Sequence, residues 1–214
     1  MTIKIIISLL ISYLIGAIPF AVIIAKANGK NIFEEGSKNP GSSNVLRVCG
    51  KKAGILCYFL DISKGAIAVL VPALFIIKNS DYSWVLILCA VFSIVGHIYS
   101  VFLKFRGGKG VATAAGSMFV LAPVSLLITM IFFFVALFAS KKTVAIGSTV
   151  GVIVFPLVLT ALNFNAKFLY KFFFNIEYKY LICVAILLAV FIIIKHIPNY
   201  KRMLKGEENS FEKK

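Results

Sequence analysis

The 214-residue chain is 60% hydrophobic and only 14% charged. Soluble domains carry about 45–50% apolar and about 25% charged residues, so one water-soluble core of this size cannot hide the excess. Its 23 Lys and Arg against 8 Asp and Glu give a net charge of +15, which calls for anionic headgroups or phosphorylated substrates; nucleic acid is not expected as a partner, because the bases sit in short loops between apolar runs.

A hydrocarbon core of about 30 Å needs about 20 apolar residues as helix. The first such run, 5–25, follows Lys4 and is 21 residues long. A signal-peptide h-region is about 7–15 residues, so a retained membrane anchor is expected. Within it Ser12, Gly16 and Pro19 read as packing and kink residues.

A polar loop over 36–47 comes next: Gly36-Ser37-Lys38-Asn39-Pro40-Gly41-Ser42-Ser43-Asn44, then Arg47. Glycines let successive backbone N–H groups face an anion. Ser37, Asn39, Ser43 and Asn44 can donate to the same oxygens, and Arg47 can grip two of them in a fork. An ordinary polar turn between spans is the alternative, but it does not call for so dense a set of donors.

The run 53–77 carries Asp61 and Lys64 at i, i+3. Ionisable groups at that depth are costly, and are functional or paired with one another. The run 84–102 contains Gly96 and His97 near its end. It leads into Lys104-Phe105-Arg106-Gly107-Gly108-Lys109-Gly110, which opens a helix at Val111. Helix N-termini present free N–H groups and a positive dipole end, which suits phosphate. Lys104 and Arg106 could be simple membrane-face anchors, but three glycines around Lys109 ask for more. No Ser or Thr follows Lys109 directly, so the loop is not a Walker A motif.

The stretch 111–138 is too long for one upright span, at about 1.5 Å per residue, and contains Gly116 and the helix breaker Pro123. It reads either as one kinked span or as two shorter segments. The run 144–162 holds Gly147 and Gly151, a small-residue packing face, with Ser148 between them. The aromatic stretch 164–179 is expected to lie at the interface. The last run, 180–195, ends in Lys195-His196-Ile197-Pro198-Asn199, with Lys201 and Arg202 beyond. His196 and Asn199 can share a face in a helical turn that Pro198 would distort. The tail 206–214 reads as solvated.

Charge arbitrates the topology. Two segments over 111–138 give seven in all, with the N-terminus outside. The inside regions 26–52, 103–110, 139–142 and 195–214 then hold 6, 3, 2 and 6 Lys/Arg, and the outside regions 1–4, 78–83 and 164–179 hold 1, 1 and 3. A single span would move Lys141, Lys142 and the basic tail outside, against the rule. The expectation is therefore an all-α polytopic membrane protein, a single domain over 1–214 with about seven transmembrane segments, one pair of them short or broken. All three motif regions fall on its basic, cytoplasmic face, which points to one site there. The cysteines, Cys49, Cys57, Cys89 and Cys183, form no CxxC pair, so no zinc site or disulfide framework is expected.

At these motifs the sequence resembles the membrane-integral acyl-phosphate:glycerol-3-phosphate acyltransferases of bacteria, the PlsY family, over nearly its whole length. The family's GSGNPGATN pattern matches Gly36–Asn44, its DxxKG matches Asp61–Gly65, and its GHxxPVFLxFxGGKGVAT matches Gly96–Thr113. Its HxxN, basic pair and GxE match His196–Asn199, Lys201-Arg202 and Gly206–Glu208. Lys38 stands where glycine is usual, Ser42-Ser43 replace Ala-Thr, Ser100 replaces proline, and Ile197-Pro198 follow His196 where basic residues are common.

The resemblance implies acyl transfer from acyl phosphate to the 1-hydroxyl of glycerol 3-phosphate in a bacterial plasma membrane, with no metal or cofactor. The expected partners are those two substrates and membrane lipids, and a monomer is expected. Ser37, Arg47, Lys109, His196 and Asn199 would be the catalytic set. Gly107, Gly108, Lys109 and Gly110 would hold glycerol 3-phosphate. Ser37, Asn44 and Arg47 would hold the acyl phosphate. Asn39, Ser43, Lys104, His97 and Ser148 would add contacts, and Asp61, Lys64 and Glu207 would be structural. The proton acceptor is either a donor phosphate oxygen or His196. A transporter of a phosphorylated solute is the alternative class; it should show internal repeats or charge along a central path, and neither is visible.

Overall fold

In lipid only a helix or a closed barrel pairs every backbone group internally, and continuous apolar runs without alternation fold here as helices. The computed structural model describes residues 2–76, 82–140, 143–165 and 176–206, and among these there are helices and no strands. In chain order they are α1 (Thr2–Ala17), α2 (Phe20–Ala27), α3 (Ser42–Cys49), α4 (Lys51–Val71), α5 (Trp84–Ile98), α6 (Val111–Leu121), α7 (Pro123–Ala139), α8 (Val144–Asn165) and α9 (Tyr178–Leu204). A π turn over Pro72–Ile76 extends α4, and a 3₁₀ turn spans Val101–Leu103.

Among the described residues, five stretches are long and apolar enough to cross a membrane: Thr2–Ala27, Lys51–Ile76, Trp84–Leu103, Val144–Phe164 and Tyr178–Leu204; Val111–Leu121 and Pro123–Ala139 are shorter apolar helices. The break at Ala122 (φ −150°, ψ 66°) before Pro123 favours two segments over one kinked span. The chain divides into two compact units, Met1–Val120 and Leu121–Lys214.

Two sequence expectations need correction. The loop over 36–47 ends at Gly41, whose carbonyl accepts from the Asn44 and Val45 N–H groups and so starts α3. Ser43, Asn44 and Arg47 are therefore helical. The last helix continues nine residues past Lys195, to Leu204. The apolar run stops at Lys195, but backbone hydrogen bonding does not require apolar side chains. The aromatic stretch over 166–175, Lys141, Lys142 and Glu207 lie outside the described residues.

In the first unit, glycines set the helix crossings. Beside Gly16 of α1 runs the backbone of Ser93 in α5, and beside Gly96 of α5 the backbone of Tyr13 and Ala17 in α1. Between α4 and α6 the arrangement recurs: Gly65 meets the Thr113 carbonyl and Gly116 meets the Ile62 carbonyl. Small residues let membrane helices approach this closely, and buried hydroxyls bind them. Ser12 Oγ donates to the Ala68 carbonyl at 2.7 Å, and Ser117 Oγ donates to the Gly65 carbonyl at 3.1 Å. In the second unit Gly147 of α8 packs on Phe133 and Leu137 of α7, as its sequence pattern suggested.

Gly116→Ala should cost about 1–3 kcal/mol, because its methyl group would meet backbone rather than a movable side chain. The fall should appear in the thermal midpoint in detergent. Gly151→Ala, whose new Cβ would find its nearest neighbour 3.7 Å away on Phe133, should hold or raise that midpoint.

Candidate active site

Pro19 breaks the first span between α1 and α2 and leaves carbonyls without helical partners. Two polar side chains take them up, one from the turn after α5 and one from α4. Ser100 Oγ donates to the Ala17 carbonyl at 2.6 Å, and Lys64 Nζ donates to the Ile18 carbonyl at 2.8 Å. Lys64 is also 2.8 Å from Asp61 Oδ1 and lies 5.6 Å from the Phe20 ring centroid. Both charged residues are almost fully enclosed, at 3% and 2% exposure. The ion pair and the Lys64 bond to the Ile18 carbonyl offset part of the cost of enclosing these charges, although among the described residues Asp61 Oδ1 has no hydrogen-bond partner beyond the ion pair.

His97 Nδ1 stands 3.6 Å from Asp61 Oδ1, an electrostatic contact too long for a hydrogen bond. The other side of the ring supports the glycine loop. A Cβ on Gly108 would strike His97 Nε2 and approach the Pro40 carbonyl, and one on Gly107 would strike the His97 and Ile98 carbonyls. The Gly108 N–H donates to the His97 carbonyl at 3.2 Å. Gly110 takes φ +83° as the chain enters α6. Only glycine fits this run, for reasons of space at 107 and 108 and of backbone angle at 110. Together Pro40, Asp61, Lys64, His97, Gly107 and Gly108 line one cleft with the Ala17–Val22 segment.

The loop before α3 is organised by Asn44. Its Oδ1 accepts from the Ser37 N–H at 2.7 Å, and its Nδ2 donates to the Ile32 and Glu35 carbonyls at 3.2 and 3.0 Å. Asn44 is 1% exposed and has both amide protons committed. It therefore shapes the loop, with both amide protons directed at backbone carbonyls. Lys38 occupies the left-handed region at φ +58°, where a non-glycine residue costs about 1–2 kcal/mol; this is one of the positions where the sequence departs from the glycine expected. Burial pushes the Cys49 thiol up, Glu35 adds to the effect and Lys30 opposes it, which disfavours a thiolate nucleophile there.

The sequence model of the glycerol-3-phosphate acyltransferase family matches residues 6–206. The chain belongs to that family. It is 38% identical over 205 residues to glycerol-3-phosphate acyltransferase 2 of Bacillus anthracis, covering 95% of this chain and 97% of the relative. It is 39% identical over 209 residues to the Staphylococcus carnosus acyltransferase, covering 95% and 96%. The crystal structure of PlsY (YgiH), an integral membrane glycerol 3-phosphate acyltransferase, in its glycerol 3-phosphate form superposes with TM-score 0.81 at 33% identity, covering 97% of this chain and 96% of that one. Its lysophosphatidic acid form gives TM-score 0.76, covering 96% and 94%.

Within this acyltransferase-family chain the first unit brings the Pro40 loop, the glycine loop, His97 and the Asp61–Lys64 pair together. Ser37, Asn39, Ser43, Arg47 and Lys109 are half-buried on the same two segments and do not line the cleft. Lys104 is exposed in a left-handed turn (φ +53°) outside the cleft lining. In the second unit His196 and Asn199 are both buried on α9, with 3% and 6% exposure, and Ser148 is buried on α8 at 2%. His196 Nδ1 lies 2.8 Å from the Ile192 carbonyl; a carbonyl can only accept, so Nδ1 carries the proton. Sequence reasoning missed Pro40 and Ser100 as parts of the cleft. Ser100 was legible only as a departure from proline, with no sign of the carbonyl it would meet.

Lys64→Met would leave the Asp61 carboxylate enclosed without its cation, at a cost of about 3–5 kcal/mol. The folded yield and thermal midpoint should fall together. The double variant Asp61→Leu/Lys64→Met should recover most of the loss, since it removes the stranded charge.

Proposed function

We propose that this chain, as a single integral membrane acyltransferase domain, transfers a fatty acyl group from acyl phosphate to the 1-hydroxyl of sn-glycerol 3-phosphate. The products are 1-acyl-glycerol 3-phosphate and inorganic phosphate, an early step of phospholipid synthesis. The observation that carries the reading is Gly108, packed between His97 and the Pro40 carbonyl. It sets two phosphate-suited segments side by side in a chain that belongs to the acyltransferase family. The bound species named for the similar crystal structures, glycerol 3-phosphate and lysophosphatidic acid, are the acceptor and the product of this reaction.

In the proposed mechanism the glycine loop 107–110 and Lys109 hold the acceptor phosphate, with Lys104 contributing charge from the rim. Ser37, Asn39, Ser43 and Arg47 hold the donor phosphate. His196 and Asn199 orient the substrates, and Ser148 adds a hydroxyl contact. The acceptor oxygen attacks the acyl carbon, the acyl–phosphate bond breaks, and the departing phosphate takes the hydroxyl proton. An acyl phosphate is already activated, so positioning and charge stabilisation suffice, without a covalent enzyme intermediate. The acyl chain lies among the spans, while both phosphates need the cationic loops at the water face. The excess of Lys and Arg in the motif-bearing loops supports a cytoplasmic orientation of that face, and the bacterial relatives support a bacterial plasma membrane.

Purified protein should form 1-acyl-glycerol 3-phosphate from acyl phosphate, and not from acyl-CoA or acyl-carrier donors; activity with acyl-CoA alone would overturn the donor assignment. Arg47→Lys should lose about 10²-fold or more in kcat/KM despite keeping its charge, because a point charge cannot reproduce the two-pronged grip. His196→Gln should retain maximal rate to within about 10-fold, whereas loss of a general base costs about 10²–10⁴-fold.

A further inference from the structure

Helices α8 and α9 are joined by two pairs of hydroxyl groups. Thr149 Oγ1 lies 2.5 Å from Tyr200 Oη, and Thr160 Oγ1 lies 2.8 Å from Tyr178 Oη. Each threonine hydroxyl already donates its one proton to a carbonyl four residues back, Ala145 or Pro156, at 2.7 Å in both cases. Each tyrosine must therefore be the donor to its threonine. Early residues of one helix pair with late residues of the other, so the pairs fasten the two ends of an antiparallel couple.

The ends are not equivalent. Pro198 lies inside α9 and has no N–H, so the Ile194 carbonyl lacks the bond it would receive from residue 198. The missing rung spans the turn that carries His196 and Asn199. Because His196 Nδ1 is bonded to the Ile192 carbonyl, its ring follows any movement of that backbone. Tyr200 lies one turn beyond His196, with ring centroids 6.3 Å apart and planes inclined by 32°. Its bridge anchors α9 to α8 just past the missing rung, next to Ser148.

We propose that Tyr200 is a positioning residue: through Thr149 it replaces the restraint that Pro198 removes, and so holds the His196 ring and the Asn199 amide in place. This rests on the substrate-orienting role given above to His196 and Asn199. The Thr160–Tyr178 pair ties the same helices far from that turn and serves as an internal control.

Four variants test it, first by kinetics with thermal stability and then by spectra. Tyr200→Phe should lower kcat about 5-fold, within the loss set for His196→Gln, since small misplacements of orienting groups are costly, with a smaller change in KM for glycerol 3-phosphate. Tyr178→Phe, which loses the same kind of bond, should lower the thermal midpoint by a similar amount and keep kcat within about twofold. Adding Pro198→Ala to Tyr200→Phe restores the missing rung and should return most of kcat. The second readout does not depend on activity. The chain has only two histidines, so ring ¹⁵N spectra, assigned with His196→Gln, follow His196 directly. Its single Nδ1-protonated signal should broaden or split in Tyr200→Phe and sharpen again in the double variant. Unchanged kcat and an unchanged His196 signal in Tyr200→Phe would overturn the proposal, as would equal kcat losses in Tyr200→Phe and Tyr178→Phe. A wild-type protein without acyl transfer would refute the functional reading, and the His196 spectra would still decide the positional one.

Discussion

The buried Lys64 ammonium is the interaction on which the first unit turns. It bonds a carbonyl set loose by Pro19, neutralises Asp61 and rests near the Phe20 ring. Removing it would strand the Asp61 carboxylate inside the helix bundle and leave the Ile18 carbonyl with only the Phe20 N–H among the described residues. From that point contacts run outward in order: Asp61 beside His97, His97 under Gly108, Gly108 against Pro40. A buried charge pair thus supports the backbone of two loop segments that line one cleft.

Much of this was legible in the sequence, and each part for a stated reason. Apolar run lengths located the helices, because lipid permits little else. Pro19 and Pro123 marked real breaks, since proline lacks the N–H a continuing helix needs. The glycines at 107, 108 and 110 marked a loop that an ordinary membrane-face anchor does not explain, and Asp61 with Lys64 were read as functional or paired from their depth and spacing. What stayed hidden depends on partners distant in sequence. The extent of α3 could not be read from a segment so rich in Ser, Gly and Asn. Asn44 looked like a substrate ligand because its donors suit phosphate; only the folded chain shows them spent on Ile32 and Glu35. The reciprocal crossings of Gly65 with Gly116, and of Gly16 with Gly96, were equally invisible, because a lone glycine does not name its neighbour.

Departures from the family pattern have local physical accounts. Ser100, where proline is usual, supplies the hydroxyl that satisfies Ala17 at the break in the first span. Lys38 accepts a strained backbone angle while adding positive charge beside the first loop. Pro198 removes an N–H from the turn next to His196 and Asn199, and a tyrosine two residues later reaches across to α8. In each case a change costly by itself is accompanied by a nearby group that offsets it or by a charge that suits an anionic ligand.

The central claim is that the first loop and the glycine loop form one anion site at a single membrane face. Membrane-impermeant maleimide labelling of Lys38→Cys and Phe105→Cys, each exposed and each in an otherwise cysteine-free background, tests it most directly. The account predicts that both positions label only in inside-out vesicles and that glycerol 3-phosphate with an unreactive acyl-phosphate analogue slows both. Labelling from opposite sides, or slowing of one position alone, would contradict it.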